Sequence, residues 1–84
     1  MLGFKRFVIT HYANEDSPKG DFARDLKLDK DFPRISFKAE GITYLEWRRC
    51  CDSAMNVFKE LWKDYKKYRL HENNKQYNLY YDYA

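Results

Sequence analysis

Among the side chains of this 84-residue chain that could attack a bond, move a proton or hold a metal, six stand out by type or spacing: Cys50 and Cys51, His11 and His71, Asp25 and Asp29. Nucleophilic catalysis needs a cysteine or serine with a histidine beside it and an acid to orient that histidine. His11 falls on an apolar stripe with Phe4, Phe7 and Val8, at i, i+3, i+4 and i+7, so it reads as a satisfied core or boundary histidine before it reads as a base. His71 opens the C-terminal tail. A structural zinc site wants about four ligands in spaced pairs, and two adjacent cysteines with two distant histidines lack that pattern. Adjacent cysteines on a helix point about 100° apart, which makes them poor disulfide partners. The expectation is one buried small residue and one partly exposed thiol in a reducing compartment. Asp25 and Asp29 lie at i, i+4 on an outward face, where carboxylates are usually solvated, and no glycine-rich loop is present to cradle phosphate. No enzyme, cofactor or metal is expected.

The cations are more informative. On an ideal helix Lys59, Lys63, Lys66 and Lys67 fall within about 100° of arc. Lys59, Lys63 and Lys67 form a like-charged i, i+4, i+8 row, costing a few tenths of a kcal/mol per pair, which Glu60 and Asp64 partly offset. The plain reading is a solvated face; the functional one is a strip that binds phosphate or an acidic partner, extended by Arg48 and Arg49 if their helix packs alongside. Trp47, flanked by those arginines, fits a contact residue for a base or a partner groove, although filling a core is the commoner fate of tryptophan. The tail carries four of the eight tyrosines, Tyr77, Tyr80, Tyr81 and Tyr83, side chains suited to protein contact. Net charge is +3, with the excess of bases in residues 32–70 and an excess of acids in residues 14–31. A pI near 8.8 permits a nucleic-acid partner and equally an acidic protein.

These residues need helices to position them. The first stripe predicts a helix over residues 2–12. Ser17-Pro18 reads as an N-cap with proline at the first helical position, opening a helix over 18–29 that turns Phe22, Ala23 and Leu26 inward. Gly20, early in that helix, suits a close approach of another backbone. Phe32-Pro33 forces extended chain, and residues 34–42 read as irregular. Thr43 and Glu46 match a capping box that starts a third helix over 43–51, with Tyr44 and Leu45 inward. Asp52 or Ser53 caps a fourth helix over 52–69, whose stripe is Met55, Phe58, Trp62 and Tyr65. Asn73-Asn74 reads as a helix stop. The expected organisation is one all-α four-helix domain over residues 1–70 with a Tyr/Asn-rich tail over residues 71–84. No apolar run approaches the ~20 residues of a membrane span, and the first residues lack the order of a signal peptide, so a cytoplasmic protein is expected.

Several blocks together resemble the YozE-like family of short bacterial proteins: Phe4-x-x-Phe7, Asp16-x-Pro18-x-Gly20-x-Phe22-Ala23-x-Asp25, Asp29-x-x-Phe32-Pro33, Tyr44-Leu45-Glu46, and Met55-x-x-Phe58-x-x-x-Trp62-x-x-Tyr65. The resemblance covers about residues 2–69. It implies a compact sterile-alpha-motif-like helical bundle and, by analogy of fold, nucleic-acid binding. The stretch from Trp47 to Cys51 and the tyrosine tail depart from the family's pattern. Two functions follow as expectations: a non-enzymatic module contacting nucleic acid through Arg48, Arg49, Lys59, Lys63, Lys66 and Lys67, or a protein-interaction module, regulatory or inhibitory, using Trp47 and the tail.

Overall fold

The structure, a computed structural model, describes the backbone of residues 2–81 and the side chains of residues 2–72. Four helices follow one another: α1 (Phe4–Tyr12), α2 (Pro18–Leu28), α3 (Lys38–Trp47) and α4 (Asp52–Tyr81). The chain is the expected all-α bundle, and among the described residues it contains no strand.

The start of α2 is fixed by local chemistry. The Ser17 hydroxyl accepts the Gly20 amide at 3.1 Å, and Pro18 occupies the first turn, where its missing N–H costs nothing. Gly20 itself lies against the turn leaving α1. A Cβ there would collide with the Glu15 carbonyl group and sit 3.0 Å from the Tyr12 carbonyl oxygen. Arg24 closes the same turn from outside, donating to the carbonyl oxygens of Ala13 and Glu15 at 2.9 Å each.

Three helix limits differ clearly from the sequence expectation: both ends of α3 and the C-terminal end of α4. α3 begins at Lys38, within the stretch read as irregular, and ends at Trp47. Its first turn is satisfied by Glu40, whose carboxylate accepts the amides of Ser36 and Phe37 at 2.9 Å each. Thr43 is therefore an interior helical residue, and the Thr43–Glu46 match to a capping box is coincidental. Because α3 stops at Trp47, Cys50 and Cys51 lie in the linker to α4, and both thiols are exposed; neither is the expected buried residue. At the other end, the backbone of α4 runs through Asn73-Asn74 to Tyr81, past the stop placed there. The side-chain contacts expected of Tyr77, Tyr80, Tyr81 and Tyr83 lie outside the described residues.

The core is aromatic. Phe4, 2% exposed, meets Phe58, Trp62, Tyr65 and Phe32 with ring centres 5.3–6.3 Å apart. Such pairs add about 0.5–1.5 kcal/mol each beyond the area they bury. Phe58 and Leu61 are fully buried, and Gly41 lets α3 sit directly on the Phe58 ring, since a Cβ would lie 2.6 Å from its Cε1. The stripe of α4 thus organises the bundle as its spacing requires. The N-terminal segment is clamped across that helix: the Leu2 amide donates to the Tyr68 hydroxyl at 3.0 Å, and the Tyr65 hydroxyl donates to the Leu2 carbonyl at 2.9 Å.

A polar knot joins α1, α2 and α4 on another side. Tyr12 and Lys19 both donate to Asp64 Oδ2 at 2.8 Å. Burial, reinforced by the Asp64 carboxylate, pushes the Tyr12 hydroxyl up to about 12. Burial works to raise the Asp64 carboxyl as well, but the bonds from Lys19 and Tyr12 outweigh it and hold that group below its ordinary range. His11 is exposed at the edge of the core, its Nδ1 2.9 Å from the Phe7 carbonyl oxygen and its ring against Phe7. It is the boundary histidine the stripe implies.

Candidate functional site at the α3–α4 corner

The corner is built by the way α3 ends. Arg48 is still helical (φ −76°, ψ −4°), and Arg49 turns into the left-handed region at φ 56°. The Cys50 amide then donates to the Leu45 carbonyl and the Arg49 amide to the Glu46 carbonyl, both at 3.0 Å. These are the paired bonds of a Schellman motif, and Arg49 occupies the position that glycine normally fills. Among the described residues, Arg49 is the only non-glycine with positive φ. Its guanidinium makes no hydrogen bond or ion pair with any described residue.

The turn presents three side chains in sequence. Trp47 is 71% exposed, its ring centre 5.9 Å from that of Tyr44. Arg48 lies over the other part of that aromatic step, its guanidinium carbon 6.0 Å from the Tyr44 ring centre. Tyr44 rests edge-on against buried Phe32 at 5.1 Å and donates its hydroxyl to Asp29 Oδ2 at 2.7 Å. A tryptophan, a tyrosine and two arginines therefore share one rigid end of a helix.

Beside them opens a cleft of about 380 Å³ between the end of α2, α3 and the start of α4. Phe22, Leu26 and Leu45 supply apolar lining, and Leu28, 81% exposed, stands on the α2 lip. Three titratable groups face the cleft in addition to Tyr44 and Arg48: Asp25, Asp29 and Cys50. Burial works to raise the Asp29 carboxyl, yet the Tyr44 hydroxyl, the Asp31 amide, Arg48 and Lys5 together hold it below the ordinary range. Burial pushes the Cys50 thiol up, and Cys51 adds to that. An acid held ionised and a thiol held protonated suit a fixed polar wall more than proton transfer or attack. No group of three or more His, Cys, Asp or Glu among the described residues is placed to hold a metal ion.

The lysines occupy a different place. Lys59, Lys63, Lys66 and Lys67 are all exposed, and none takes part in an ion pair among the described residues. The row begins seven residues into α4, about 10 Å along its axis from Asp52. Ala54, which lines the cleft, points about 140° away from Lys59 around that axis. Arg48 is held over Tyr44 and lines the cleft, whereas none of the four lysines lines it. Leu70, 61% exposed, falls on the lysine arc.

Sequence reasoning picked out Trp47, Arg48 and Arg49 but missed Leu28, Tyr44 as a donor to Asp29, and the left-handed turn at Arg49. Leu28 carries a usable signal: it lies two residues from inward-facing Leu26, about 200° around the helix, so an apolar side chain is turned outward. Nothing local in the sequence marks Arg49.

Comparison with known proteins agrees with this architecture. The model of the family described as YozE SAM-like fold matches residues 3–67, which is most of the chain, and the chain belongs to that family. No curated protein and no solved structure matches it. Among the described residues no helix is long and apolar enough to cross a membrane.

Proposed function

We propose that this chain is a small, non-catalytic docking module that binds a segment of a partner protein at the α2–α3 cleft. One observation carries the reading: Leu28, 81% exposed, lines a partly apolar cleft of about 380 Å³, and Trp47, 71% exposed, packs on Tyr44 of the same lining, in a protein that buries most of its other large side chains. An exposed tryptophan with arginine beside it is the composition of interface hot spots. A leucine left in water at a helix end gains burial worth about 1.5–3 kcal/mol once covered. The directions of the Asp29 and Cys50 shifts favour binding over catalysis, as argued above. The test is a peptide array in which apolar anchors (Leu, Phe, Trp) are set in varied flanks, probed with the purified protein. Trp47→Ala and Leu28→Ser should each abolish the signal while leaving the melting temperature within a few degrees. Binding that survives both changes refutes the reading.

A second reading keeps nucleic acid as the ligand of the lysine face. It is favoured by the exposure of all four lysines in one arc with no ion pairs among the described residues. Four phosphate contacts predict a log–log salt slope of about −3 for a single strand. A slope near zero with a fluorescent oligonucleotide removes this reading and leaves the cleft untouched.

A further inference from the structure

We propose that Arg49 is a specificity-determining contact, which selects partner segments carrying an acidic side chain next to the apolar anchor that enters the cleft. The inference rests on the docking reading above and names the chemistry of the partner. It starts from the backbone. A non-glycine residue at φ 56° is disfavoured because its Cβ crowds the following carbonyl, and glycine at this Schellman position would remove the conflict. Outliers of this kind collect where a side chain is needed for something other than folding. Arg49 is exposed and makes no side-chain hydrogen bond or ion pair among the described residues, so no such bond offsets the strain.

The surroundings say what the guanidinium is for. Arg48 is already committed, stacked over Tyr44 and acting on Asp29. Asp29 is satisfied by the Tyr44 hydroxyl and the Asp31 amide, which leaves Asp25 as the exposed carboxylate of the α2 wall. Arg49, whose chain neighbours Arg48 and Cys50 both line the cleft, is left as the uncommitted arginine of the turn that follows exposed Trp47. A planar fork of donors in that position matches a carboxylate. A carboxylate also lies favourably at the positive end of α4, which begins three residues later at Asp52.

The same array decides it when its binders are sorted by acidic, neutral and basic flanks, and when it is repeated with Arg49→Gly, Arg49→Asn and Arg49→Lys. Glycine and asparagine both accept the left-handed turn, so the fold is retained while the charge is lost. The expected result is that acidic flanks bind best. That preference should disappear in Arg49→Gly and Arg49→Asn with about a fivefold loss of affinity, shrink at high salt, and persist in Arg49→Lys. An acidic preference untouched by Arg49→Gly overturns the proposal. So does binding with no charge preference that is nevertheless lost in Trp47→Ala, an outcome that leaves the docking reading standing. If no peptide binds and a single-stranded oligonucleotide does, with loss on Arg49→Gly, both the proposal and the docking reading fall in favour of phosphate recognition.

Discussion

Two adjacent arginines should respond to glycine with opposite signs. Arg49→Gly relieves a left-handed backbone that costs an L-residue about 1–2 kcal/mol. The added freedom of glycine in the unfolded chain returns about 0.4–1 kcal/mol of that. The net expectation is a stabilisation of about 0.5–1 kcal/mol, because the two backbone bonds at 3.0 Å that close the turn do not depend on the side chain. For a domain of this size that raises Tm by about 2–8 °C. Arg48→Gly sits at φ −76° and ψ −4°, which any residue adopts, so only the entropic cost remains and the stacking on Tyr44 is lost. It should destabilise by about 0.5–1 kcal/mol. Thermal unfolding followed by circular dichroism, with urea melts to obtain free energies, measures both. If the two variants move in the same direction, or Arg49→Gly lowers Tm, the turn is not strained and the reasoning about Arg49 fails with it.

Gly20→Ala should cost about 3 kcal/mol or more, since the obstructing atoms are the backbone of Glu15 and Tyr12 and cannot rotate away; a urea melt within 1 kcal/mol of wild type would contradict the close approach. Asp64→Ala should destabilise by about 1–2 kcal/mol by stranding Tyr12 and Lys19. Because the Asp64 carboxyl is held below its ordinary 3.8, that contribution is complete above the ordinary value and is lost as pH falls through the lower folded value. Lys19, raised above 10.5 chiefly by its bond to Asp64, acts conversely: its contribution is present below the ordinary value and lost as pH rises through the folded one. The stability gap between wild type and Asp64→Ala, measured across pH, should therefore be a plateau that closes at both ends. Cys50 should alkylate more slowly at neutral pH than a free cysteine, because its thiol is pushed up; mass spectrometry of a timed iodoacetamide reaction reads this directly.

Where the fold was legible in the sequence, a single residue had one physical meaning. Ser17 and Pro18 announce a helix start, Gly20 announces a close backbone approach, and the 3, 4, 3 spacing from Met55 to Tyr65 has one reading as a buried stripe. α3 was misplaced because its evidence is ambiguous locally. Gly41 falls in the stretch read as irregular, but it is a contact surface for Phe58, a residue seventeen positions away. Phe37 has no side-chain acceptor to advertise an N-terminus, and Glu40 does that work from inside the helix. Thr43 and Glu46 satisfy a motif that tertiary packing ignores. The error carried over to the cysteines, since a helix ending at Trp47 leaves Cys50 and Cys51 in a linker. The candidate site was half legible. Trp47-Arg48-Arg49 stands out by composition, whereas the cleft depends on α2 and α3 meeting across Tyr44 and Asp29, a pairing at a separation of fifteen residues that no local pattern encodes.

The docking claim is tested most directly by amide and indole chemical-shift mapping of the full chain, titrated with the tightest acidic-flanked peptide from the array and, separately, with a single-stranded oligonucleotide. The account predicts that the peptide moves the resonances of Leu28, Tyr44, Arg49 and Cys50 and the Trp47 indole N–H, and leaves those of Lys59, Lys63 and Lys67 in place. Peptide-induced shifts confined to the lysine face of α4, or no shifts at all with any peptide, would contradict it.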